Sequence, residues 1–148
     1  MSYTIYSADP AIPLRNSSGS RSVVRLERID PLTADADAGS EFDPMLSTWV
    51  GGFDGFMVPI TNHFRLTGVL PGSYNFYLYA SPAGAPTDFY VAVNSASPVL
   101  KTAACTPGLT NFVLDDNYVV YENLVLSEGD VLTFSASGAL AGLQLLRI

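Results

Sequence analysis

Residues 63–80, HFRLTGVLPGSYNFYLYA, decide the fold class, because they contain two alternating segments on either side of a turn. In the first segment Phe64 and Leu66 share one face and the polar residues share the other. The central Pro-Gly pair is a strong turn signal. The second segment has aromatic residues on both faces, as expected for a central strand of a sheet. The stretch therefore predicts two β-strands.

Similar segments recur along the rest of the chain and are separated by clusters of Gly, Pro, Asn and Asp. We predict further strands at 22–29, 88–94, 109–114, 118–126, 131–136 and 143–148, a weak strand within 98–107, and a helix or strand at 45–50. The short loop at 81–86 predicts that the strands on either side of it form a hairpin. Turn signals at a spacing of about 8–12 residues are typical of an all-β sandwich or jelly roll. We therefore expect an antiparallel β-sandwich of jelly-roll type with about eight strands.

The chain has 148 residues, a length that suits one domain. We expect a single β-sandwich at 22–148, preceded at 1–21 by an N-terminal arm or the first strand. A hydrophobic fraction of 48% argues against a disordered chain. A net charge of −7 disfavours binding to nucleic acid, whose phosphates it would repel.

The scarcity of cysteine and histidine excludes several kinds of site. Cys105 and His63 are single examples of their types, so an intramolecular disulfide or a cysteine-rich metal centre is excluded. We expect Cys105 to be buried as a small hydrophobe. The chain has no nucleophile elbow and no glycine-rich nucleotide cradle. We therefore predict no enzyme activity, no cofactor and no metal site.

Two groups of acids are the remaining candidates for a metal site. Carboxylates alternate in 35–43 and partly match a calcium loop, although we favour a solvated loop within 33–44. Four turn acids could also meet in space, namely Asp115, Asp116, Glu128 and Asp130. No apolar run approaches the length of a membrane-spanning helix and no signal peptide is visible, so we expect no membrane contact.

Aromatic side chains are the strongest candidates for ligand contact. The set consists of Trp49, Tyr77, Tyr79, Tyr90 and Tyr121. Exposed aromatic rings on one sheet face can stack on sugar rings, so a glycan is a possible partner. The same rings can instead fill the sandwich core or an interface between subunits, which is the interpretation we favour.

The N-terminal arm is a second candidate for partner contact. Its apolar side chains, spaced by Pro and Ser and followed by one cation, are Tyr3, Ile5, Tyr6, Ile12, Leu14 and Arg15. An arm that cannot bury such residues by itself could bury them on a neighbouring subunit. Alternatively, residues 3–6 are the first strand of the sandwich.

From residue 44 onward, the order of motifs resembles bacterial exported jelly-roll domains found in exoproteins of the PEP-CTERM type. The similar segments are 44–50, 64–79, 117–121 and 141–145. The resemblance implies a jelly-roll fold but no agreed activity. The chain departs from the family because it shows no export signal and no Pro-Glu-Pro sorting motif.

A jelly roll that is low in charge and free of disulfides is also typical of virion proteins. By analogy, we predict a non-enzymatic structural or attachment protein, a phage capsid decoration (cement) protein. It would form a homo-oligomer such as a trimer, contact neighbouring shell subunits, fold in the host cytoplasm and lie on the virion surface. The alternative is a carbohydrate-binding module or lectin-like adhesin, which could be extracellular. A third hypothesis is a domain of an exported bacterial surface protein.

Overall fold

A computed structural model describes residues 12–15, 21–29, 34–37, 48–51, 61–80 and 85–148. Its strands are β1 (Ile12–Arg15), β2 (Arg21–Arg28), β3 (Ala34–Asp37), β4 (Thr48–Gly51), β5 (Asn62–Thr67), β6 (Gly72–Ala80), β7 (Thr87–Val93), β8 (Val99–Ala103), β9 (Tyr118–Leu126), β10 (Leu132–Ala136) and β11 (Leu140–Arg147). Among the described residues, none belongs to a helix long and apolar enough to span a membrane.

The strands form two antiparallel sheets, which confirms the predicted all-β sandwich. The six-stranded sheet has the order β1-β2-β5-β10-β7-β8, and the five-stranded sheet has the order β3-β4-β11-β6-β9. Three strands have only four residues, and the eight longer ones match the predicted number. From β5 onward the chain crosses between the sheets at every connection except β7–β8, as in a jelly roll.

The predicted hairpin between 73–80 and 88–94 is wrong. These segments are β6 and β7, which belong to different sheets; β6 pairs with β9 and β11, whereas β7 pairs with β8 and β10. Each of the two strands buries one apolar face. Crossing between sheets lets these faces meet across the core, which a hairpin within one sheet would prevent.

The predicted strand at 109–114 is also wrong, because this stretch is a loop with one isolated bridge between Leu114 and Tyr118. The side chain of Asn117 hydrogen-bonds to the main-chain oxygen of Asn111 and to the amide of Val113. These two main-chain groups are therefore not available to pair with another strand. The weak strand expected within 98–107 is present as β8.

The N-terminal third contains more strand than the sequence indicates. Residues 34–37, expected in a solvated loop, form β3 and pair with β4. Of the helix or strand expected at 45–50, residues 48–50 are strand and 45–47 lie outside the described residues. In the arm, residues 12–15 form β1 and pair with β2 at the edge of the six-stranded sheet. Tyr3, Ile5 and Tyr6 lie outside the described residues.

Three phenylalanines join the two sheets at the centre of the core. Phe134 of β10 stacks on Phe64 of β5 at 5.0 Å between ring centroids. The same ring meets Phe76 of β6, in the other sheet, edge to face at 5.3 Å and 72°. All three side chains are buried, as is Leu66, so the face that Phe64 and Leu66 were predicted to share is the inner face of β5.

A second link between the sheets is a hydrogen bond. The hydroxyl of Tyr121 in β9 donates to the main-chain oxygen of Phe89 in β7 at 2.7 Å. Burial raises the pKa of Tyr121 because its phenolate would lose hydration. Tyr121 is therefore an uncharged donor within the core.

Removing this hydroxyl is expected to weaken the sandwich. We predict that Tyr121→Phe lowers the free energy of unfolding by about 0.5–1.5 kcal/mol, the net value of one hydrogen bond. Tyr90→Phe, at a side chain that is 38% exposed, is the matched control and should change it by less than about 0.5 kcal/mol. Equal urea midpoints for Tyr121→Phe and the wild type would show that the bond contributes nothing.

The raised pKa of Tyr121 also predicts a loss of stability in alkali. Above about pH 10 the unfolded tyrosine releases its proton while the folded one retains it, so stability is lost as the pH rises further. Between pH 9 and 11, unfolding free energy should therefore fall more steeply for the wild type than for Tyr121→Phe. Parallel pH profiles from urea titrations would contradict this prediction.

Candidate functional site

The outer face of the five-stranded sheet carries an unusual number of aromatic side chains. Along β6, Tyr74, Phe76 and Leu78 point into the core, so period-2 alternation places Tyr77 and Tyr79 outside. Strand pairing sets Tyr118 of β9 opposite Tyr79. It also sets Gln144 of β11 opposite Tyr77.

Four of these rings form an arrangement that we call the aromatic corner: Tyr77, Tyr79, Tyr118 and Phe112. Tyr118 lies 6.3 Å from Tyr77 and 5.7 Å from Tyr79, with interplanar angles of 36° and 31°. Phe112 stands at 67° to Tyr79 and 83° to Tyr118. The tyrosines thus make a floor and Phe112 makes a wall beside it.

The four rings of the corner differ in exposure to solvent. Phe112 is 45% exposed and Tyr77 and Tyr118 are half-buried, whereas Tyr79 is only 9% exposed because its neighbours cover it. The hydroxyl of Tyr79 donates to Oε1 of Gln144 at 3.2 Å. The corner therefore combines aromatic surface with uncharged hydroxyl and amide groups.

Phe112 owes its position to a fully buried asparagine in the loop at 104–117. Nδ2 of Asn117 donates to the main-chain oxygen of Asn111 at 2.6 Å, and its Oδ1 accepts from the Val113 amide at 2.8 Å. These two bonds bracket Phe112 on both sides. The wall is therefore held in place before any ligand arrives.

Hydrogen bonds also fix the beginning of this loop, at Thr106. The carboxylate of Asp116 accepts hydrogen bonds from the amide and the hydroxyl of Thr106, both at 2.8 Å. Cys105 and Asp115 have positive φ angles of 58° and 59°, a costly conformation that these bonds maintain. Cys105 is buried, as predicted, and burial raises the pKa of its thiol.

A groove lies on the outer face of the other sheet. Pairing aligns His63 of β5, Ser135 of β10 and Tyr90 of β7 in one row across three strands. The groove over this row has a volume of about 470 Å³. Within the described part of the chain, its lining residues are Ile29, Thr61, His63, Phe64, Tyr90, Ala92, Pro98, Thr133, Phe134 and Ser135.

The structure divides the predicted aromatic set among three places. Tyr77 and Tyr79 lie together in the aromatic corner, whereas Tyr90 lies on the opposite sheet. Tyr121 cannot contact a ligand, since it is 4% exposed and belongs to the core. The backbone of Trp49 lies in β4, and its side chain is outside the description.

Sequence reasoning missed Tyr118 and Phe112 as site residues. Tyr118 is identified only by the pairing of β9 with β6, because it lies 39 positions from Tyr79 in the chain. Phe112 is identified only by the loop that Asn117 organises. The exposed run at 112–114, three apolar residues beside Asp-Asp-Asn, was the available signal.

The acids considered as metal ligands do not converge. Within the described ranges, no three His, Cys, Asp or Glu side chains are grouped to hold an ion. Asp116 binds Thr106, and Asp130 accepts from Asn94 at 2.8 Å and from the Ser127 amide at 2.7 Å. These two bonds lower the pKa of Asp130. Of the proposed calcium loop, residues 35–37 belong to β3, and 38–43 lie outside the description.

Comparison with known proteins finds similar folds only among solved structures. No family model and no curated protein matches the chain. An exo-β-1,3-galactanase from Phanerochaete chrysosporium with β-1,3-galactotriose matches at 19% identity and a TM-score of 0.49, over 76% of this chain and 26% of that one. TmCBM61 in complex with β-1,4-galactotriose matches at 13% identity and a TM-score of 0.43, over 86% and 90%.

A second structure of the galactanase, with galactose, matches at 15% identity and a TM-score of 0.43, over 85% of this chain and 30% of that one. The chain thus spans less than a third of the galactanase chains. Likeness at this level does not assign a function.

Removing the Asn117 side chain is expected to loosen the loop that carries Phe112. Asn117→Ala should speed hydrogen exchange at the Val113 amide and lower the free energy of unfolding by about 1–3 kcal/mol, since it removes both hydrogen bonds of a fully buried side chain. Asn111→Ala is the control, because that residue is exposed and its main-chain oxygen makes the contact. Unchanged exchange at Val113 in Asn117→Ala would refute the role of this side chain.

Proposed function

We propose that this chain is a carbohydrate-binding domain and that the aromatic corner stacks on the flat face of a neutral sugar. The observation that carries the proposal is the pair of half-buried rings of Tyr77 and Tyr118 beside the upright ring of Phe112, with the covered ring of Tyr79 packed against Tyr118 and Phe112. A pyranose ring is flat, apolar on its C–H face and lined by hydroxyls at its rim. The floor suits the C–H face, and the wall suits one edge of the ring.

Polar groups around the corner support the same ligand. The hydroxyls of Tyr77 and Tyr118 and the amide of Gln144 can exchange hydrogen bonds with sugar hydroxyls. Tyrosine suits such contacts because it combines a rigid apolar body with a polar tip. The loop that fixes Phe112 reduces the ordering cost of binding.

The charge of the site favours a neutral sugar over an acidic one. The corner residues, Gln144 and the cross-strand neighbours Gly142 and Val120 are all uncharged. Arg147, the cation of β11, lies opposite Tyr74 rather than opposite a corner residue, and it donates to the main-chain oxygen of Pro71 at 3.0 Å. With a net charge of −7, the chain also repels uronic acids at long range.

The capsid decoration role receives no support from the contacts of the described residues or from the comparisons. The homotrimer, the arm contacts, the virion location and the absence of enzyme activity stay predictions. An aromatic corner is also the kind of surface that a subunit interface buries. Sugar binding by a monomer would distinguish the two functions.

The proposal is tested on an array of neutral and uronic-acid-containing oligosaccharides, followed by calorimetric titration of the strongest binder. We expect binding to neutral members, and Tyr118→Ala and Phe112→Ala should each raise Kd about tenfold or more, equivalent to about 1.4 kcal/mol. Tyr118→Phe keeps the ring and should recover most of the affinity.

Val125→Ala is the matched control, since Val125 also lies on β9 and is 70% exposed but is not part of the corner. Its Kd should equal that of the wild type. Failure to bind any neutral array member, or equal affinities for all the variants, would refute the proposal.

A further inference from the structure

We propose that the groove on the six-stranded sheet is a second glycan site, which binds a neutral oligosaccharide segment independently of the aromatic corner. This inference rests on the proposed carbohydrate-binding function. It adds a site on the opposite outer face of the sandwich, so that one domain would hold two glycan segments.

The groove has the size and the walls of a binding site. Its volume of about 470 Å³ is within the range of about 300–1,000 Å³ that ligand pockets occupy. On one side the ring of Tyr90 is 38% exposed, and on the other Ile29 is 54% exposed. These two side chains offer apolar surface for the C–H groups of sugar rings.

The polar groups of the groove are suited to sugar hydroxyls. Ser135 lies between His63 and Tyr90 in the same cross-strand row, and Thr133 lies in the next row. The hydroxyl of Thr133 donates to the main-chain oxygen of Ala92 at 3.3 Å and keeps its acceptor capacity. The polar groups that a ligand can reach are the exposed imidazole of His63 and the half-buried hydroxyl of Thr133, whereas Ser135 is largely covered.

The charge of the lining and the pairing of the strands beneath the groove indicate which kind of ligand fits it. Among the residues that the structure describes, the lining contains no Asp, Glu, Lys or Arg, which favours a neutral ligand. The cation of the next row, Arg65, donates to Glu27 at 2.7 Å and is therefore engaged.

A peptide that joins a sheet binds at the edge, where main-chain groups are unpaired. The groove instead lies over β5, β10 and β7, each of which pairs with a neighbour on both sides. A ligand in the groove can therefore contact side chains but no unpaired strand edge, and side-chain contacts are those that a glycan uses.

The two sites can be filled together because they lie on the outer faces of different sheets. Face-to-face sheets are about 10 Å apart, and the side chains of the core fill that space. A domain with two such sites can bridge two glycan chains or hold one surface with greater avidity.

The test uses a variant that lacks the corner, Phe112→Ala with Tyr118→Ala, on an array of neutral oligosaccharides of two to five hexose units with uronic-acid counterparts. We expect this variant to keep binding to a subset of the neutral members. Adding Tyr90→Ala should weaken that residual binding at least tenfold. Adding Leu100→Ala instead should leave the residual binding unchanged. Leu100 of β8 is the cross-strand partner of Tyr90 and is 49% exposed, but it does not line the groove.

Each outcome separates the second site from the proposed function. If the wild type binds array members and the variant without the corner binds none, the groove is not a site and the proposed function stands. If Tyr90→Ala leaves the residual binding unchanged, or if that binding is confined to uronic-acid members, the inference also fails. If the wild type binds nothing on the array, both proposals fail. Circular dichroism of each variant confirms that the sandwich is intact.

Discussion

The edge-to-face contact between Phe134 and Phe76 is the constraint on which the rest of the structure depends. It joins β10, between β5 and β7, to β6, between β11 and β9, and so locks the central strands of both sheets face to face. Since side chains alternate along a strand, fixing these two rings inside also fixes their neighbours outside. A slip of one residue would exchange the two faces, which would expose the phenylalanines and bury the outer tyrosines.

Both proposed sites are consequences of that alternation. Tyr77 and Tyr79 flank the inward-pointing Leu78, and Ser135 and Thr133 flank Phe134. The core residues therefore position the surface residues through a rigid backbone. Phe112 is the exception, because it is placed by a loop whose shape depends on the buried amide of Asn117. The wall of the aromatic corner is thus the part most sensitive to a local substitution.

Local alternation is sufficient to predict much of the fold from the sequence. The inward face of β5 and the positions of β6, β7, β9 and β10 follow from period-2 patterns that each strand carries by itself. Strand partners do not follow, because a Pro/Gly-rich loop can close a hairpin or cross between sheets. That ambiguity made the expected β6–β7 hairpin wrong.

The candidate site was only partly predictable for the same reason. Tyr77 and Tyr79 lie on one strand, so their shared face is visible in the sequence. Tyr118 and Tyr121 are three positions apart and therefore lie on opposite faces of β9, with Tyr118 half-buried on the outer face and Tyr121 in the core. Local pattern alone does not say which face of β9 is inside, because both faces carry tyrosine and valine. The hydrogen bond from Tyr121 to Phe89 supplies the partner that a buried tyrosine hydroxyl needs, and it depends on a contact between sheets.

The most direct test of the account is an NMR titration of protein labelled with ¹³C in the rings of its eight tyrosines. The titrant is the neutral oligosaccharide that binds most strongly on the array. The account predicts that the ring signals of Tyr77 and Tyr118 shift as the sugar binds, while those of buried Tyr74 and Tyr121 stay in place. If a saturating concentration of the sugar shifts the ring signals of neither Tyr77 nor Tyr118, the aromatic corner is not the binding surface.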